Sequence, residues 1–207
     1  FSVFNIESYD LLKDFKPSLI KIASRTIVDE KSLVDRILDD GVNLIISLGM
    51  WKDDNLPYTP SDEISYLWCI SKYPSLPRDL KGFPKDFQDT DYEGYSDHTV
   101  GIETPILAIS RGANIIEKHF TLSRKMNGPD HRSSLEPKEL TQMIKNIREA
   151  EVSLGNPKKY ITNSEKLNKV LIRKSLVAKT FIFKGQKFNF NNNVNQFLFE
   201  TFRMWYR

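Results

Sequence analysis

Two short segments of this chain join an apolar run to a polar pair: Tyr95-Ser96-Asp97-His98-Thr99 and Ile115-Ile116-Glu117-Lys118-His119-Phe120. Along a β-strand, residues i and i+2 face the same way. Ser96 therefore shares a face with His98, and Glu117 with His119. If the two segments are neighbouring parallel strands, two imidazoles and a carboxylate meet at one end of a sheet. Neutral imidazoles ligate divalent cations, and a carboxylate among hydroxyls can hold or move protons on an anionic or hydroxylated substrate. Such groups are costly to bury without partners, so the pattern reads as a metal-assisted site rather than as core.

The elements that must carry these groups alternate. Phe1 to Phe4 reads as the end of a strand, and Ile6 to Phe15 as a helix with Tyr9, Leu11, Leu12 and Phe15 on its apolar stripe. Leu19 to Ala23 is a short β-rich run. Asp29 is the expected cap of a helix whose stripe is Leu33, Val34, Ile37 and Leu38 and whose stop is Gly41. Asn43 to Ser47 and Tyr66 to Ile70 read as buried strands, separated by an irregular stretch from Trp51 to Asp62. Leu80 to Phe87 carries at most a short helix, cut by Pro84. The two polar-ended strands follow, at Gly94–His98 and Asn114–His119, with a helix from Thr104 to Arg111 between them. Pro137 opens a long helix bearing Leu140, Met143, Ile144, Ile147 and Ala150, with Gly155 after it. Steady strand–helix alternation argues for a parallel sheet with crossovers, about six strands before Gly155, and the site candidates fall where strands end.

Composition sets the limits. With 40 % hydrophobic and 28 % charged residues in 207, the chain has material for one domain with a core and a small second module. A net charge of +3, with no basic stripe interleaved with aromatics, excludes nucleic acid as the expected partner and mildly favours an anionic small molecule. No apolar run is long enough to span a bilayer, so no membrane partner is expected. Cys69 is the single cysteine, so no internal disulfide forms, and a reducing cytoplasmic location is expected. Cys69 itself reads as a small buried apolar group.

The motifs are specific enough in order to carry a resemblance. Gly94-Tyr-Ser-Asp-His-Thr-Val-Gly-Ile102, Gly112-Ala-Asn-Ile-Ile-Glu-Lys-His-Phe-Thr121, Gly128-Pro-Asp-His131 and Ser134-Leu-Glu-Pro137 resemble the sialic acid synthases and their legionaminic, pseudaminic and spore-coat relatives. Lys21-Ile-Ala-Ser24, Ile45-Ile-Ser-Leu-Gly-Met50 and Cys69-Ile-Ser-Lys-Tyr-Pro74 extend the match over roughly residues 1 to 185. The resemblance implies an eight-stranded α/β (TIM) barrel followed by a small β-rich antifreeze-like (SAF) module. It also implies a divalent metal, Mn2+ or Mg2+, and condensation of phosphoenolpyruvate with an N-acetylated amino sugar to a nine-carbon keto acid and phosphate. It assigns His98 and His119 as metal ligands and Glu117 as a catalytic carboxylate. It places Ser2, Ser24, Ser47, Ser71, Ser96 and Glu117 around phosphoenolpyruvate, and Tyr73 and Asp130 on the sugar. A homodimer is implied for the full-length protein.

Departures from that pattern shape the remaining expectations. The barrel's first two strands, which carry an acidic residue and a lysine for phosphoenolpyruvate, would precede Phe1. The segment between Met50 and Tyr66 is short and lacks a crossover helix. The arginine-bearing loop that reaches across the dimer is missing. The expected organisation is an incomplete barrel over residues 1–156, a linker over 157–168 and a truncated antifreeze-like module over 169–207. Short strands are expected at Leu171–Ala178 and Thr180–Gly185, then a divergent aromatic tail. Such a fragment is expected to be inactive alone, at most binding metal or self-associating. The competing enzymatic reading is another phosphoenolpyruvate-dependent or aldol-type barrel chemistry. His131 is a further candidate ligand, with a loop role equally open, and Lys72 reads as solvated.

Overall fold

The computed structural model describes residues 1–155 and 158–198, which divide into two compact units at Gly155. In the first unit, α1 (Ile6–Lys13), β1 (Leu19–Ile22), α2 (Ser24–Asp29), α3 (Lys31–Asp39), β2 (Asn43–Ser47), β3 (Ile64–Cys69), β4 (Tyr92–Asp97), α4 (Glu103–Ser110), β5 (Ile115–Lys118) and α5 (Pro137–Leu154) follow in order. The five strands form one all-parallel sheet in the order β1-β2-β3-β4-β5. A doubly wound sheet reverses its strand order at a switch point. This sheet never reverses, which is the winding of an α/β barrel.

Strand alternation divides the side chains into two sets. On one face, Ile20, Ile22, Leu44, Ile46, Ile64 and Tyr66 pack with Ile27, Leu33, Val34 and Ile37 of α2 and α3. Full burial of each Leu or Ile removes its apolar surface from water and contributes about 1.5–3 kcal/mol. Tyr95 joins Phe87, Ala108 and Ala113 in a second cluster, and Ile109, Leu135, Met143 and Ile147 form a third between α4 and α5. The opposite face carries Lys21, Ser47, Cys69, Ser96, His98, Glu117 and His119. On that face β4 needs a glycine: a Cβ at Gly94 would lie 2.1 Å from the Ile115 carbonyl oxygen.

Several sequence expectations are corrected. Phe1–Phe4 is not a strand but a single bridge, Ser2 to Lys21, so five strands stand where about six are expected. Helix α1 stops at Lys13, which leaves Phe15 beyond it and exposed; Leu11, within the helix, is exposed too, and only Tyr9 of the stripe is fully buried. Asp29 ends α2 rather than capping α3, because the chain breaks between the two helices at Glu30 (φ −127°, ψ 50°). The 80–87 stretch, read as a short helix at most, has none, and a single 3₁₀ turn precedes it at Pro77–Asp79. No helix bridges β2 and β3, as expected from the sequence; Trp51, Leu56 and Tyr58 of that stretch instead pack on the core. Gly41 (φ 71°) and Gly155 (φ 53°) end their helices in the left-handed region.

The second unit has α6 (Asn163–Ile172) and an antiparallel pair, β6 (Lys174–Ala178) with β7 (Val194–Leu198). The helix occupies half of the segment read as a linker, and begins because Thr162 accepts from the Glu165 amide at 3.1 Å while Glu165 accepts from the Thr162 amide. It also displaces the first residues of the strand expected from Leu171. The expected strand at Thr180–Gly185 is absent; β6 pairs instead with β7, across a turn in which the Asn193 amide donates to the Asn189 carbonyl. Phe199, Phe202, Trp205 and Tyr206 of the aromatic tail lie outside the described residues.

Candidate active site

A cleft of about 450 Å3 opens at the C-terminal ends of the strands. Its lining includes Ser2, Ser24, Ser47, Ser96, Glu117, His98, His119, Tyr73 and Asp130, so all but one of the residues that the resemblance assigned meet there. The exception is Ser71, which does not line the cleft; its Oγ stands 4.0 Å from Cys69 Sγ. Tight packing explains that place, since a Cβ on Gly49 would come within 2.6 Å of the same hydroxyl.

Glu117 is the hub on β5. Its Oε2 accepts from Ser96 Oγ at 2.5 Å and from Ser47 Oγ at 3.3 Å, and lies 3.4 Å from Lys21 Nζ. Strands β1, β2 and β4 thus direct polar groups at one carboxylate oxygen. Ser24, the first residue of α2, accepts from the Gly49 amide at 3.0 Å and lies 3.7 Å from Cys69 Sγ.

His98 and His119 stand one residue beyond the ends of β4 and β5, with ring centroids 5.1 Å apart. Tyr73 lies against both rings, at 4.2 and 5.5 Å. His98 Nδ1 is 2.9 Å from the Ile70 carbonyl oxygen. A carbonyl only accepts, so Nδ1 carries the proton and Nε2 is left bare. Burial holds the His98 imidazole below its ordinary value of 6.5, against the hydrogen bond to Ile70 and with help from the nearby His119, which favours the neutral form. His119 Nδ1 faces Asp130 Oδ2 at 4.0 Å.

These groups fit a divalent cation held by two nitrogens. A nitrogen ligand stands about 2 Å from the ion, so each ring centroid lies about 3.2 Å from it, and two rings at tetrahedral or octahedral angles have centroids about 4.5–5.3 Å apart. The observed separation lies in that interval. Among the described residues, no group of three or more His, Cys, Asp or Glu is arranged to hold a metal. The carboxylate expected beside the rings is in the cleft, but its oxygen is engaged by serines and Lys21. Two imidazoles alone would leave most coordination positions of such a cation to water or substrate. His131 is not in the cleft lining; its Nδ1 bonds Thr121 Oγ1 at 2.7 Å within its loop.

Among the cleft-lining residues that the sequence reading gave no site role, Lys21, Cys69 and Lys118 carry reactive side chains. Lys21 projects into the cleft with its side chain 14 % exposed, and burial lowers its pKa from the ordinary 10.5 against the opposing pull of Glu117. The signal was available, since Lys21 sits between Ile20 and Ile22, a charge inside an apolar strand just like Glu117. Cys69 is buried as expected, yet it lines the cleft instead of the helix-side core, and burial pushes its thiol above the ordinary 9.0. Lys72 is paired with Asp79 at 2.7 Å at the surface.

An all-parallel, unreversed sheet with a polar cleft at its strand ends is the architecture of an α/β-barrel type of domain. The NeuB family model matches residues 1–159, and the chain belongs to that family. It is 37 % identical over 202 residues to N,N'-diacetyllegionaminic acid synthase of Campylobacter jejuni, covering 91 % of this chain and 60 % of the relative. It is 33 % identical over 165 residues to human N-acetylneuraminate-9-phosphate synthase, covering 73 % of this chain and 45 % of that protein. The crystal structure of an N-acetylneuraminic acid synthetase from Leptospira borgpetersenii, in complex with citrate, superposes with a TM-score of 0.65 at 30 % identity over 81 % of this chain and 61 % of that one. The chain thus spans about 60 % or less of the length of these relatives. Among the described residues, no helix is long and apolar enough to cross a membrane.

Proposed function

We propose that this chain carries the reaction centre of a synthase that condenses phosphoenolpyruvate with an N-acetylated amino sugar, giving a nine-carbon keto acid and phosphate. The observation that carries the reading is the convergence on Glu117 Oε2 of two serines and a buried lysine, beside two facing imidazoles. The carboxylate and phosphate of phosphoenolpyruvate need a cation and neutral donors, which Lys21, Ser24, Ser47 and Ser96 supply. C3 of the enol forms the new bond to the sugar's aldehyde carbon, and C2 becomes cation-like. Glu117 stabilises that charge and takes a proton from the water that adds at C2, after which the bond to phosphate breaks. His98 and His119 would hold Mn2+ or Mg2+, which supplies Lewis acidity toward the aldehyde oxygen when bound. Tyr73 and Asp130 flank the rings where the sugar would lie.

The reading extends to the whole protein. The second unit is taken as the beginning of an antifreeze-like module, and the longer protein as a cytoplasmic homodimer. The 207-residue chain alone is taken as inactive, since five strands with free edges do not enclose the cleft. The test is to supply phosphoenolpyruvate, an N-acetylated amino sugar and Mn2+ to the protein at the length of its relatives and to assay phosphate and keto acid together. Equimolar release of both, abolished by chelation, is expected. A folded protein that releases neither overturns the proposal, and one that uses free pyruvate without releasing phosphate is an aldolase.

A further inference from the structure

Beside the two imidazoles, at the alternate positions of the same strand ends, lies an ion pair that the chemistry above does not use; one partner, Lys118, also borders the cleft. Asp97 and Lys118 are register partners across the β4–β5 seam; their side chains are 0 % and 3 % exposed, and Nζ stands 2.6 Å from Oδ2. They are the last registered pair of that ladder. His98 and His119 fall one residue beyond it, where no β4–β5 backbone pairing holds them.

The bonds of this pair close around His98. Lys118 Nζ also donates to the Thr99 carbonyl, so one ammonium anchored on β5 grips the residues on both sides of His98. Asp97 Oδ1 accepts from Tyr95 OH at 2.7 Å and from the Thr99 amide at 2.8 Å. Its Oδ2 accepts from Thr99 Oγ1, which lies 3.1 Å from Thr104 Oγ1 on α4. A buried ion pair adds little net stability over a well-packed neutral pair, but its directional bonds specify a geometry.

We propose that Asp97 and Lys118 are positioning residues that set the spacing of the His98 and His119 rings, and through it the cation affinity of the cleft. The cation part rests on the metal-assisted reading above; the ring geometry does not. The double variant Asp97→Asn/Lys118→Met removes both charges and strands neither. With isotope-labelled histidine, the chain's three His give few enough signals to follow ring-to-ring contacts by NMR, alongside thermal unfolding and a Co2+ titration of the whole chain. The expected result is a cooperative melt, loss of the His98–His119 ring contact and about 10- to 100-fold weaker Co2+ binding. A folded double variant with the native ring contact and unchanged Co2+ affinity overturns the proposal. If the native chain takes up no Co2+, the metal reading fails, and the ring contact alone decides the positioning role. Should the double variant not fold, Tyr95→Phe keeps both charges and removes one bond to Asp97. A weakened ring contact then supports the proposal, and an unchanged one overturns it.

Discussion

Replacing Lys21 by Met tests the electrostatics of the cleft most directly. The native ammonium is buried on β1, 3.4 Å from Glu117 Oε2 and facing the space where an anionic substrate would sit. A hydrogen bond from a charged donor to an anion is worth about 1.5–3 kcal/mol net, or about 10- to 150-fold in affinity. Removing Lys21 also leaves Glu117 unpaired, and its charge then repels phosphoenolpyruvate, so the loss should lie in the upper half of that range. Isothermal calorimetry with phosphoenolpyruvate compares Lys21→Met with Lys21→Arg, which keeps the charge, and with Lys52→Met at an exposed surface position. The expected order is Met far weaker than Arg, with the surface variant unchanged. The sign with pH follows from the lowered pKa, whose first cause is burial: the ammonium binds the anion while protonated, so affinity falls as pH rises through a value below 10.5. Native-like affinity in Lys21→Met, or affinity flat through the alkaline range, refutes the assignment of Lys21 as the anion's cation.

Three further outcomes are expected. His98→Ala and His119→Ala should each weaken Mn2+ binding by at least about 100-fold by calorimetry, because one remaining imidazole is a poor site; binding like the native protein's in either removes the metal assignment. Gly94→Ala should cost about 2–4 kcal/mol in urea unfolding, since a new Cβ 2.1 Å from the Ile115 carbonyl oxygen forces β4 from β5; a loss under about 0.5 kcal/mol contradicts that close approach. Burial, then the Asp40 carboxylate 2.7 Å away, raises the Tyr9 phenol from 10.0 to about 12. The neutral form is favoured in the fold, so this contribution is fully present below pH 10 and is lost as pH rises through about 12. Ultraviolet titration should show several late phenols, since burial also raises Tyr58, Tyr66, Tyr73, Tyr92 and Tyr95, and Tyr9→Phe should remove one phenol's amplitude near pH 12.

Much of the site was legible because strand geometry is local. The two-residue period alone put Ser96 with His98 and Glu117 with His119, and the ordered motifs attached Ser24, Ser47, Tyr73 and Asp130 to them. Turn chemistry was legible for the same reason at Gly41, Pro137 and Gly155. Misreadings gathered where non-local packing decides. The stripe of α1 promised Phe15 a buried face that the helix is too short to reach. The helix after Gly155 is the exception, because the Thr162–Glu165 cap that starts it is local and was passed over when that run was read as linker.

The sequence by itself determined which side chains share a face, since alternation is a property of the extended backbone. Only the tertiary structure decided which strands are neighbours and in what register. That choice turned Lys21 toward Glu117, moved Cys69 from core to cleft, and joined Asp97 to Lys118 beside the two imidazoles. Pairing between strands is set by the packing of the whole sheet against its helices, an energy summed over distant residues that no short motif contains.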